Sequence, residues 1–103
     1  MSPFGAAATE TNLAATAYFS VHARAVPGVM PRILELFAKR GLVPTAWHSA
    51  IGASDRTELT ISIEMVGLGR DVTRYIAACL RQITDVDTVR TVESETSDAP
   101  RSN

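Results

Sequence analysis

Between Glu58 and Met65 the chain alternates without interruption. Leu59, Ile61, Ile63 and Met65 fall on one side, and Glu58, Thr60, Ser62 and Glu64 on the other. A period of two over eight residues is a strand with one buried face and one wet face. Strands of that kind build a sheet covered on one side only, with the helices packed on that side.

The rest of the chain repeats the theme. Ala17, Phe19, Val21 and Ala23 alternate with Tyr18, Ser20, His22 and Arg24, a half-buried first strand that Pro27-Gly28 breaks. Val26, Met30, Ile33, Leu34 and Phe37 then recur on one helical face, with Arg32, Glu35 and Lys39 opposite. Pro31 falls in the first turn of that helix, where a missing N–H costs little, and Gly41 stands where a C-terminal cap is expected. A second strand is expected over Thr45 to Ile51, followed by a polar turn from Gly52 to Thr57. After the Glu58–Met65 strand come Gly67 and Gly69. Val72, Ile76, Cys79, Leu80 and Ile83 mark the apolar face of a second helix that Asp71 starts favourably. A last strand runs from about Val86 to Glu93, although Val86, Val89 and Val92 do not share a parity.

The order is strand, helix, strand, strand, helix, strand. With one wet face on every strand, both helices pack on the same side, and right-handed crossovers give a ferredoxin-like βαββαβ sandwich of the α+β class. Its antiparallel sheet has the order 4-1-3-2, so the second strand is an edge, where Pro44 is acceptable. Residues 1–13 and 94–103 lack apolar periodicity and are expected to be disordered tails around one domain at 14–93.

Composition narrows the function. The 103 residues are 46% hydrophobic and 20% charged, enough for one small core. Ten basic residues against eleven acidic ones, a net charge of -1, give no footprint for nucleic acid or an anionic membrane. Without a signal peptide or an apolar stretch of about 20 residues, the expected location is cytoplasmic. The single cysteine, Cys79, excludes an internal disulfide and a thiolate metal cluster.

Candidate chemistry is sparse. Ser20 and His22 share a strand face, with no acid nearby in sequence to orient the imidazole. His48, beside Trp47 on the edge strand, is a base or an interface residue. Asp85 and Asp87 resemble a carboxylate pair or simply begin a strand. Cys79 reads as inert core. Arg70, Arg74 and Arg81 form a stripe on the second helix, either a solvated face or one that a partner reads. Two histidines without clustered acids give no metal site. Pro27-Gly28 before a helix is either a plain turn or an anion site at the helix N-terminus.

Taken together, Val26-Pro27-Gly28-Val29-Met30, the run Ile33-Leu34-Glu35-Leu36-Phe37-Ala38-Lys39-Arg40-Gly41-Leu42, and Leu59-Thr60-Ile61-Ser62-Ile63 resemble an ACT domain over about residues 15–93. The segment from Leu80 to Val89 is similar to the corresponding part of the short acetolactate synthase small (regulatory) subunits. This resemblance implies a homodimer joined through the second strands, with Trp47 and His48 at the interface. It also implies an effector amino acid, typically valine, held between Ala25, Gly28, Val29 and Met30 of one protomer and Val43 and Pro44 of the other. The chain itself would use no cofactor and would work by docking on a large catalytic subunit with a thiamine-diphosphate site. Two features depart from the family. Ligand-binding members carry Asn or Asp where Ala25 stands and Asn where Val43 stands, and Pro44 lacks an N–H. Losing two hydrogen bonds to charged groups, at roughly 1–3 kcal/mol each, weakens binding by orders of magnitude. Weak or absent valine binding is therefore expected. Two other readings remain: a free-standing ACT homodimer sensing a small ligand, and a small dimeric ferredoxin-like enzyme using His22 or His48.

Overall fold

The computed structural model describes residues 15–95. The expected tails at 1–13 and from residue 96 onward lie outside them. Six elements follow in order: β1 (Ala15–Arg24), α1 (Val29–Lys39), β2 (Ala46–Ile51), β3 (Glu58–Val66), α2 (Arg70–Arg81) and β4 (Val86–Glu95). The antiparallel sheet has the order β2-β3-β1-β4, and the fold is ferredoxin-like as the periodicity requires. Ser94 and Glu95, expected in the tail, extend β4 by pairing with Thr16 and Ala15.

One layer of core lies between sheet and helices. Phe19, Val21, Ile61 and Ile63 from the sheet meet Val29, Ile33, Phe37, Ile76 and Leu80 from the helices, all at most 1% exposed. Phe19 and Phe37 pack edge to face at 6.1 Å between centroids, the arrangement that their ring quadrupoles favour.

Three details correct the expected pattern. On α1 the buried face is Val29, Ile33 and Phe37, while Leu34 is 45% exposed and Met30 half-buried. On α2 the face is rotated toward Thr73 and Ala77. Thr73 is tolerated there because its hydroxyl donates to the Gly69 carbonyl at 2.9 Å. Cys79 consequently sits at the margin, half-buried, with its Sγ 3.7 Å from an Arg40 nitrogen, so it is not a core residue. The parity problem in β4 has a physical cause. Between His22 and Ala23 the register slips, so that Thr88 faces His22 but Val86 faces Ala23. Asp87 is the extra residue of a β-bulge. The bulge returns Val86 to the inward side with Val89, and leaves Val92 outward and 62% exposed.

The Phe37-to-Leu42 segment is a complete helix stop. Leu42 N–H donates to Phe37 O at 2.9 Å and Gly41 N–H to Ala38 O at 3.0 Å, with Gly41 at φ +70°. This paired closure requires a left-handed residue at Gly41 and an apolar one at Leu42. Arg40 then folds back, donating to Leu36 O at 2.9 Å and to the Tyr75 hydroxyl at 3.1 Å, which ties α1 to α2.

Candidate functional site

The first half of the expected effector site is the β1–α1 junction. Ala25 N–H is taken by Thr57 O at 2.9 Å, and Val29 N–H by Val26 O at 3.2 Å. Arg32 N–H reaches Gly28 O at 3.3 Å, and Pro31 has no N–H. Among the first four residues of α1, only Met30 keeps a donor without a backbone acceptor. That is a poor cradle for a carboxylate, which ordinarily gathers several such groups. The Val29 side chain is fully buried and belongs to the core. Gly28 has an ordinary φ of -84°, and a Cβ added there would meet nothing within 4 Å. The backbone does not demand glycine at this position; its absent side chain simply leaves open space over the helix end.

The second half lies far away in the same chain. Ala25 follows Arg24, which pairs with Glu58 at one end of β3. Thr45 N–H bonds to Glu64 O at 2.7 Å and Val66 N–H to the Thr45 hydroxyl at 3.1 Å, at the other end. Six residues of strand separate the two points, about 20 Å. Val43 is 81% exposed and Pro44 half-buried. These residues cannot close on one small ligand within a single chain.

β2 is an edge strand, as expected. Its Trp47 faces the helix layer and packs against the core, while His48 points to the outer face and is exposed. Gly52 N–H donates across to Glu58 O at 2.9 Å. By antiparallel alternation, Trp47, Ser49 and Ile51 therefore turn their N–H groups to the free edge.

The remaining candidates resolve into structural roles. Asp85 lies before β4. Its carbonyl accepts Arg24 N–H at 2.8 Å and its carboxylate pairs with Arg32 at 3.8 Å. Asp87 is the bulged residue, so the two acids are not a catalytic pair. Of the three arginines in the stripe, two are engaged within the chain, while Arg74 is exposed. Arg70 pairs with Glu93 at 3.2 Å and Arg81 donates to Val89 O at 2.8 Å, both pinning α2 to β4. Among the described residues no group of three or more His, Cys, Asp or Glu could hold a metal ion, and no helix is long and apolar enough to cross a membrane.

A feature that sequence reasoning missed lies on the helix-free face. There the register sets Ala46, Glu64, Tyr18 and Val92 in one row across the sheet, and His48, Ser62, Ser20 and Arg90 in the next. The short Ser20 and Ser62 side chains lie side by side, and the longer ones stand around them. The result is an open concavity of about 400 Å³. His48 borders it, and His22, one row further, does not. Alternation reveals which residues face outward, but only the strand register reveals which of them are neighbours.

The fold is the ACT-like form of the ferredoxin-like sandwich. It is similar to the ACT domain of a GTP pyrophosphokinase from Chlorobium tepidum, with a TM-score of 0.63 and 14% identity over 75% of this chain and 96% of that one. The C-terminal domain of the MgtC protein from Mycobacterium tuberculosis gives 0.56 at 16% identity, over 84% of this chain and 95% of that one. GlnK of B. subtilis, solved as an ATP complex, gives 0.51 at 12% identity, over 80% and 84%. No family model and no curated protein matches the sequence.

Proposed function

We propose that this chain is a non-catalytic regulatory module of the ACT type that works as a homodimer joined edge to edge through β2. The partner to which its sequence resemblance points is the catalytic subunit of an acetolactate synthase-like thiamine-diphosphate enzyme in branched-chain amino acid biosynthesis. One observation carries the dimeric reading. The two halves of the effector site stand about 20 Å apart in one chain, and the half containing Val43 and Pro44 leads directly into a strand with a free edge. Pairing two such edges supplies each protomer with the half it lacks. Similarity to the ACT domain of a GTP pyrophosphokinase supports the regulatory class.

The site's chemistry argues against valine. Ala25 and Val43 offer no polar side-chain atom, Pro44 and Pro31 no N–H, and the Ala25 and Val29 N–H groups are already bonded within the chain. Regulation on this reading comes from docking on the catalytic subunit. A second reading is favoured by the apolar character of Ala25 and the exposed Val43: a free-standing homodimer sensing a ligand more apolar than valine.

Co-purification of the tagged chain from its own host tests the proposal. The expected result is recovery of a thiamine-diphosphate enzyme whose activity rises when the two are mixed and does not fall on valine titration. Recovery of the homodimer alone favours the free-standing sensor. Strong valine inhibition overturns the account of the site.

A further inference from the structure

The outer-face concavity belongs to neither half of the inter-protomer site. We propose that it is a separate small-ligand site for an amphipathic molecule with a carboxylate at one end, an ammonium at the other and an apolar spacer between. Its volume of about 400 Å³ lies within the range of small-molecule sites, and its lining divides by chemistry.

Arg90 stands on β4 beside Ser20, and Glu64 stands on β3 beside Tyr18. They are two strands and two residues apart, so their Cα atoms are about 12 Å from one another. Neither takes part in an ion pair among the described residues, although three other pairs form. One cationic and one anionic side chain thus face the same depression from opposite sides, unpaired. The guanidinium presents a fork suited to a carboxylate, and the Glu64 carboxylate accepts from an ammonium. Tyr18 lies between them in register. It and Val92 are 42% and 62% exposed, an apolar wall for the middle of the ligand. The Ser20 and Ser62 hydroxyls form the floor.

The spacing sets the ligand's length. With both side chains upright on the sheet, their charges rise from points about 12 Å apart, and an α-amino acid, whose charges are adjacent, engages both only if the two lean in over the floor. A spacer of several carbons lets each charge meet its partner. All the residues that line the site come from one chain, with Ala46 and His48 of β2 on its border, so its test needs no partner enzyme.

Titrating the full-length chain with 6-aminohexanoate, followed by backbone amide NMR, is the test. Shifts are expected at Tyr18, Ser20, Ser62, Glu64 and Arg90, with saturation. Arg90→Ala and Glu64→Gln should each weaken binding by about tenfold or more, as expected for losing a hydrogen-bonded charge. Arg90 is exposed and Glu64 half-buried on the outer face, and circular dichroism verifies that the variants fold. Ser62→Leu, which fills the floor, should abolish the shifts. Hexanoate should bind more weakly and ignore Glu64→Gln, and L-valine should leave these amides unmoved. Three outcomes would overturn the proposal: no shift on this face at millimolar probe, binding unchanged in the Arg90→Ala, Glu64→Gln double variant, or amides on this face that move on dilution alone because a second copy covers it.

Discussion

Gly41 shows how much a single residue can fix. Its φ of +70° is the left-handed conformation that lets two backbone N–H groups close the end of α1. An open space surrounds the position where a Cβ would stand, so the cost of Gly41→Ala is conformational and not a clash. That cost is about 1–2 kcal/mol. Urea unfolding should give a lower midpoint for this variant with an unchanged slope. Asp55 acts in the β2–β3 turn, where the Thr57 hydroxyl and then its N–H hold the carboxyl below the ordinary range. A depressed folded value means that the contribution to stability is complete above the unfolded value and is lost as pH falls through the folded one. The stability difference between the wild type and Thr57→Val should therefore shrink on acidification, and NMR titration of Asp55 in the variant should move toward the usual carboxylate value. Gly41 was readable in the sequence because glycine after a basic helix end has one common use. The hydrogen bonds already occupying the Ala25 and Val29 N–H groups were not, because backbone partners across loops leave no mark in residue type.

Strand alternation was the most legible level, and its one irregularity was physical. Val86 and Val89 share the inward face despite unlike parity because Asp87 bulges between them, and Val92 is an outward residue; a bulge resets the inward set without changing composition. Helix faces were legible to within a small rotation. Thr73 and Ala77 were overlooked since a small or hydroxylated residue is buried here by virtue of its position and its bond to Gly69, not its hydropathy. The arginines of α2 were placed correctly on the helix, but the acceptors of Arg70 and Arg81, Glu93 and the Val89 carbonyl, are on β4 and leave no mark in the helix sequence. The Arg81 bond crosses from the end of α2 to a central residue of β4 and is part-buried. Arg81→Ala should cost about 1–2 kcal/mol and should raise amide exchange at the α2–β4 junction more than in β2.

In the whole molecule, an open sheet carries helices on one face and a concavity on the other, with a free edge at β2. The fold class followed from the order of elements, and the similarity to ACT domains agrees with it. The resemblance already assigns the two halves of the proposed effector site to different protomers; that they lie at opposite ends of one sheet needs the register. This division makes association through β2 the central claim. Ser49→Pro removes an N–H that faces the free edge and leaves the β2–β3 ladder in place. The direct test is the solution mass of the full chain and of Ser49→Pro by light scattering. The account predicts twice the 11.0 kDa chain mass for the wild type and a folded monomer for the variant. A monomeric wild type, or a dimer that Ser49→Pro leaves intact, would contradict it.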